Sequence, residues 1–233
     1  MNLSQLTDKI YNESEVFEHI LSLNDKTILE LGCGKADFTR LIAINGSNRK
    51  IIATEVDKKQ HSKNVLIDDL TNVTFMMAGS EDIPLDDEIF DIVFMFKSFH
   101  HVPEKEMKNA LNEVKRVLKH GGIAYISEPI FDGDFNEVLR LFHNEQRVRD
   151  IAYSAINNSI NNKDFISVDE LFFNTSISFK SFEEFEQKIM NVTHTNHKLS
   201  LELYESVKTQ FLLNLKDNGA KFLIPIRVNL LQK

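Results

Sequence analysis

An α/β fold built on a mostly parallel sheet, with helices on both faces, is predicted by two features of this sequence of 233 residues. Strand-length apolar runs alternate with amphipathic stretches of helical period, and the first such run ends in an acid and a Gly-x-Gly turn. Residues from Leu3 to Leu23 precede it and read as one or two amphipathic helices, with Leu6, Ile10, Val16, Phe17, Ile20 and Leu21 at near-helical spacing. These helices are placed to cap the ligand side of the sheet.

The first strand lies in Thr27-Ile28-Leu29-Glu30-Leu31, followed by Gly32-Cys33-Gly34. Its apolar residues suit a strand covered on both faces, and a helix resumes over residues 36 to 44. Gly32 and Gly34 let the backbone turn tightly and approach a ligand closely. A second strand, residues 50 to 55, ends at Glu55 about twenty residues beyond the turn, where a carboxylate can accept hydrogen bonds from both hydroxyls of a ribose. A solvated strand end accounts for the same acid with no ligand. A dinucleotide fingerprint would place glycine at position 37, but Asp37 puts a carboxylate where a pyrophosphate would rest. A ligand with a ribose and no phosphates fits better, and S-adenosylmethionine (SAM) is the commonest cofactor of that kind.

A helix over 58 to 66, a strand over 73 to 77 and a strand over 90 to 96 continue the alternation. The helix over 104 to 118 follows Pro103, carries Glu104 and Glu106 in its first turn and Lys115, Arg116 and Lys119 toward its end, so its charges complement the helix dipole. Gly121-Gly122 stops it and opens a strand over 122 to 128. Beyond Pro129 the pattern becomes a long helix, roughly 134 to 157, then an Asn-rich break from Asn157 to Asn162. Phe165, Phe172, Phe173, Phe179, Phe182 and Phe185 crowd the next segment; core packing explains most of them, and a minority would line an apolar pocket. Helices near 181 to 190 and 200 to 216 lead to a last strand over 222 to 231, in which Pro225 predicts an edge position or a bulge.

At these residues the sequence resembles a known family, the class I SAM-dependent methyltransferases, and within it the small-molecule branch called methyltransferase type 11. Glu30-Leu31-Gly32-Cys33-Gly34-Lys35-Ala36 is similar to that family's acid-x-Gly-x-Gly-x-Gly loop, with Ala36 as a mild replacement of the last glycine. The likeness continues through Glu55, Ala78-Gly79-Ser80-Glu81-Asp82-Ile83-Pro84, Phe90-Asp91-Ile92-Val93, His100-His101-Val102 and Glu113 to Gly122. One departure is Gly79, where many relatives carry an aspartate that holds the adenine amine; Glu81 is the expected substitute. The resemblance implies a Rossmann-like, doubly wound sheet of seven strands with an antiparallel last strand. It also implies one domain over 1–233: an N-terminal helical cap at 1–24, a SAM-binding core at 25–130, a helical and aromatic substrate cap at 131–220, and a final strand at 221–233. The implied cofactor residues are Glu30 for the amino group, Gly32, Cys33 and Gly34 in the loop, Glu55 at the ribose with Val56 next to it in sequence, Gly79, Ser80 and Glu81 at the adenine, and Lys97 at the methionine end. Cys33 is expected to act through its backbone N–H near the methionine carboxylate. The product would be S-adenosylhomocysteine.

Composition narrows the acceptor. The formal net charge of −8, from 27 basic and 35 acidic side chains, opposes long-range attraction to a phosphate backbone, so a small molecule is expected and nucleic acid is not. No stretch reaches the roughly twenty apolar residues that span a bilayer, and no secretory signal pattern opens the sequence, so a cytoplasmic protein away from membranes is expected. Cys33 is the one cysteine, which excludes an internal disulfide or a thiolate metal cluster, and no metal is expected. Methyl transfer from a sulfonium is an in-line displacement that needs positioning and exclusion of water. An oxygen or nitrogen acceptor can also need a base, for which His100 and His101 are the candidates, ahead of His143, His194 and His197. Lys97 would touch the acceptor if not the methionine end. A SAM-binding protein without catalysis, a protein methyltransferase and an NAD(P)-dependent enzyme are the alternatives.

Overall fold

The computed structural model describes residues 9–191 and 199–233. Its first half alternates as expected: α1 (Glu13–Ile20), β1 (Thr27–Leu31), α2 (Asp37–Ile44), β2 (Lys50–Thr54), α3 (Lys58–Asn64), β3 (Val73–Met76), β4 (Phe90–Phe96), α4 (Met107–Val117) and β5 (Leu118–Pro129). The second half contains α5 (Asp134–Leu139), α6 (Gln146–Asn161), β6 (Ile166–Phe179), α7 (Phe182–Phe185), α8 (Leu201–Leu212), β7 (Leu215–Lys216) and β8 (Gly219–Gln232). The sheet runs in the order β3-β2-β1-β4-β5-β8-β6, with the two-residue β7 paired to β8 off that path. The first five strands are parallel, whereas β8 runs antiparallel to both β5 and β6.

Period-two alternation sorts the strand residues onto two covered faces. Leu29, Val93, Met95 and Ile126 pack with Leu111 and Val114 of α4 and Ile156 of α6. Ile28, Phe94, Phe96 and Tyr125 face Val16 and Phe17 of α1 and Ile42 of α2. A third core joins Val138 of α5, Phe182 and Phe185 of α7 and Phe211 of α8 to Phe179 and Phe222. Phe165, Phe173, Phe179, Phe182 and Phe185 are therefore buried in packed cores, and Phe172 is half-buried.

Four expectations need correction. The long helix over 134 to 157 is two helices, because Asn144 turns its side chain back to accept from the Gln146 amide at 3.0 Å and starts α6 afresh. Part of the helical region at 131–220 is β6, a fourteen-residue strand whose inward Leu171, Phe173 and Phe179 keep period two. The helix near 181 to 190 is the single turn α7 followed by a π-helical turn, Glu186–Met190. Pro225 lies on an interior strand: pairing of β5 with β8 ends at Pro129 and Ile226, so the missing N–H falls where β5 has run out. Leu3, Leu6, His194 and His197 lie outside the described residues.

Candidate cofactor and acceptor site

The ends of β1 and β2 are joined by a loop that depends on particular backbone angles. Gly32 has φ +74°, and a Cβ there would stand 2.8 Å from the Cβ of Ser98, whose hydroxyl donates to the Leu31 carbonyl at 2.8 Å. Gly34 has φ +53° with open space around it, and its amide donates to Glu55 Oε2 at 2.8 Å. Glu55 Oε1 accepts from the amides of Val56 and Asp57, each at 2.8 Å, so three backbone donors fix this buried carboxylate. Asn64 of α3, which the sequence did not single out, donates to the Gly34 carbonyl at 2.8 Å and braces the turn. Ala36 also takes a left-handed conformation, φ +64°, and this is the place where the resembling loop carries its third glycine. The alanine is thus a strained replacement, not a mild one.

The Cys33 amide does not face an incoming carboxylate. It donates to the Thr54 carbonyl at 2.8 Å, as the Gly32 amide does at 3.0 Å, because the loop first completes the β1 to β2 ladder. Burial and the neighbouring Glu30 and Glu55 push the Cys33 thiol up to about 12, which keeps it protonated and unreactive. Glu30 is buried and accepts a 2.5 Å bond from the Thr39 hydroxyl, and burial raises its carboxyl to about 8 against that bond.

Beside Glu55, Val56 is 64% exposed, and Met77 just beyond β3 is 49% exposed. Two bare apolar side chains at adjacent strand ends make a surface suited to a flat ring. Gly79 makes room for Glu81: a Cβ at 79 would stand 2.5 Å from a Glu81 carboxylate oxygen, so Glu81 fills the space a side chain at 79 would claim. Ser80 between them is buried.

At the ends of β4 and β5 the structure adds a group the sequence reading missed. Lys97 has φ +53° and directs its Nζ to 3.5 Å from Glu13 Oε2, over the Phe38 ring at 5.7 Å. The Glu13 side chain is 2% exposed, and neither of its oxygens has a hydrogen-bond partner; the hydroxyls of Tyr125 and Ser127 are also buried without one. Burial raises the Glu13 carboxyl, while Lys97 and Ser127 act to lower it from positions short of good hydrogen-bond geometry. On sequence alone Glu13 was one acid in an amphipathic helix, and only the docking of α1 buries it.

His100 and His101 part company. His100 is buried with Nδ1 bonded to Glu128, whose Oε1 also accepts from the amides of Phe99 and His100 at 2.9 and 3.3 Å. His101 is exposed, with its ring 4.0 Å from that of His100. Partial burial and the neighbouring His100 lower its pKa, so His101 is neutral at pH 7. Glu145 lies nearby, bonded to His143 at 2.9 Å and Arg149 at 2.5 Å; burial works to raise its carboxyl, but these partners bring it to about 2. Ligand atoms of His100, His101 and Glu145 fall within 4.8 Å of one another, the one group among the described residues with a spacing suited to a metal. Glu128, His143 and Arg149 engage that group already. Arg116, within the resembling stretch, is structural: it bonds Glu113, Asp87 and the carbonyls of Ile83 and Leu85, fastening the loop to α4.

Residues 28–122 match the family model described as a methyltransferase domain. That segment, from β1 to the start of β5, is similar to a methyltransferase domain. Among curated relatives, the chain is 27% identical over 150 residues to the sarcosine/dimethylglycine N-methyltransferase of Halorhodospira halochloris, covering 57% of this chain and 53% of that one. It is 29% identical over 133 residues to the tRNA U34 carboxymethyltransferase of Cellvibrio japonicus, covering 53% and 39%. It therefore spans about half, or less, of the length of these relatives. The fold is shared along nearly the whole chain with the YcgJ protein of Bacillus subtilis, at a TM-score of 0.67 and 16% identity, covering 94% of this chain and 97% of that one.

Proposed function

We propose that this protein is a SAM-dependent methyltransferase that transfers a methyl group from SAM to an oxygen or nitrogen atom of a small-molecule acceptor. The observation that carries the reading is the carboxylate of Glu55, held by the amides of Gly34, Val56 and Asp57 at the ends of β1 and β2. A carboxylate fixed there before ligand entry is prepared to accept from ribose hydroxyls. The exposed Val56 and Met77 would cover an adenine, with the Ser80 amide and Glu81 at its edge, and the open space at Gly34 admits close backbone approach. Glu30 and Lys97 complete the set at the amino-acid end. The exposed carboxylate of Asp37, in the first turn of α2, disfavours a pyrophosphate and hence NAD(P).

The bound cofactor would supply an electrophilic methyl carbon, and the chain's residues do the remaining work. Helix α1 closes one side of the cleft through Phe17, whose ring packs 5.4 Å from Phe94 and 5.6 Å from Phe96, which keeps water from the β4 end. His101, neutral and exposed beside that end, can take the acceptor proton at a ring nitrogen, while His100 and Glu128 hold the turn in place. The net charge of −8 favours a small acceptor over nucleic acid. Calorimetric titration with SAM, S-adenosylhomocysteine and NAD(H), followed by an acceptor screen read as S-adenosylhomocysteine release, tests the proposal. Micromolar binding of the first two and turnover with a small O- or N-acceptor are expected. Binding of NAD(H) alone would refute the cofactor, and binding without turnover across the screen would mark a SAM-binding protein without catalysis.

A further inference from the structure

Four buried oxygen atoms without a hydrogen bond of good geometry gather at one place: both carboxylate oxygens of Glu13 and the hydroxyls of Tyr125 and Ser127 that face them. Native interiors satisfy nearly all such atoms, and each exception calls for a cause. The place itself is informative. Tyr125 and Ser127 point to the same face of β5, Ser127 pairs in register with Phe96, and its carbonyl accepts from the Lys97 amide at 2.7 Å. This is the carboxyl edge of the two strands next to the candidate cofactor loop, where an open parallel sheet receives its ligands. The left-handed backbone of Lys97 adds local strain at the same point.

We propose that Glu13, Tyr125 and Ser127 form a subsite for the ammonium group of a ligand, and that the Lys97 ammonium stands in for that group until the ligand arrives. The proposal rests on the methyltransferase reading for its two sources of an ammonium, the amino-acid end of the cofactor or an amine acceptor. Charge and geometry carry it. A desolvated carboxylate calls for a cation, and the one cation brought to Glu13 among the described residues is Lys97, at 3.5 Å from a single oxygen and with its side chain 37% exposed. A long, half-solvated side chain can withdraw to water at little cost, which frees the carboxylate for an ammonium with three donors. Those donors match the orphan oxygens: the carboxylate takes one or two and a hydroxyl takes another. The rings of Phe17, Phe38 and Phe96, packed together within 6.3 Å of one another, form an aromatic wall beside the Lys97 ammonium, a setting that favours cations over neutral groups.

The test is calorimetric titration of wild type, Glu13→Gln and Lys97→Met, each checked for an intact melting transition. The probes are S-adenosylhomocysteine, 5′-methylthioadenosine, which lacks the amino-acid end, and a panel of small amines with matching alcohols, added to free and S-adenosylhomocysteine-saturated protein. Glu13→Gln is expected to weaken the ammonium-bearing probe at least tenfold and leave methylthioadenosine unchanged. Lys97→Met is expected to tighten the small amines on free protein several-fold, because the internal competitor is gone. A tenfold loss on S-adenosylhomocysteine assigns the subsite to the cofactor's amino group; an unchanged value there with loss on an amine assigns it to the acceptor. Folded Glu13→Gln protein that binds every probe as wild type does overturns the proposal. Failure of wild type to bind either adenosine probe would instead defeat the methyltransferase reading, while the amines on free protein still report on Glu13.

Discussion

Glu55 and Glu13 are both buried carboxylates near the ligand edge of one sheet, yet Glu55 accepts three backbone N–H bonds and Glu13 accepts none. The difference separates two ways of burying a carboxylate. Glu55 is fixed by the chain that surrounds it, so its geometry exists before a ligand does. Glu13 is carried in by a helix from elsewhere in the sequence and bears a desolvation cost that Lys97 and Ser127 partly offset. Glu30 stands between them, with the Thr39 hydroxyl as its hydrogen-bond donor and a carboxyl raised to about 8.

That intermediate case gives the largest expected effect. The folded protein keeps the Glu30 proton up to about pH 8, whereas the unfolded chain releases it near the ordinary 4.5. Between those values the folded state binds more protons, so the contribution of Glu30 to stability is full below pH 4.5 and is lost as pH rises to 8, about 5 kcal/mol for a shift of this size. Glu30→Gln should flatten that decline in urea unfolding measured from pH 5 to 9, and a mutant with the wild-type slope would remove Glu30 from the account. Next in size, Glu55→Ala should weaken S-adenosylhomocysteine binding by roughly 1.5–3 kcal/mol and lower the melting temperature, since three amides lose a charged acceptor. Glu13→Gln should not lower the melting temperature, and equal losses in the two mutants would erase the contrast between them.

Smaller effects sharpen the picture of the turn that Glu55 holds. Asn64→Ala, which leaves the Gly34 carbonyl without its donor, should cost about 1–2 kcal/mol in denaturant unfolding and loosen Gly34 in amide exchange. Ala36→Gly should stabilise by about 1 kcal/mol, because glycine adopts the left-handed angle without the Cβ penalty. A destabilised Ala36→Gly protein would mean that packing of the buried methyl outweighs its strain.

The sequence carried the first half of the fold because the signals there are local. Buried strands such as 27–31 and 90–96 are apolar along most of their length, and Gly32 marks a turn with no other residue able to fit. β6 was hidden because Leu171, Phe173 and Phe179 alternate inward among half-exposed Ser, Thr and Asn, while its phenylalanines run on toward Phe182 and Phe185 at helix-like spacing. Glu55 could be read from its distance to the glycine turn. Glu13 could not, since its burial follows from contacts of α1 with β4 and β5 that lie more than seventy residues away. The Cys33 amide was misjudged for a related reason: a loop glycine pattern does not say which N–H groups the sheet itself consumes.

The position of β8 between β5 and β6 has a consequence for synthesis. The five parallel strands are complete once Pro129 has left the ribosome, but β6 has no neighbour in the sheet until residues from Gly219 onward follow. At about 5–20 residues per second that interval lasts on the order of 5–20 s. During it the open flank of β5 and the aromatic residues of β6 are exposed together in the nascent chain. The segment at Ile10, which bridges to Asn174 of β6, must wait as well, so residues made before β1 are among the last to be docked.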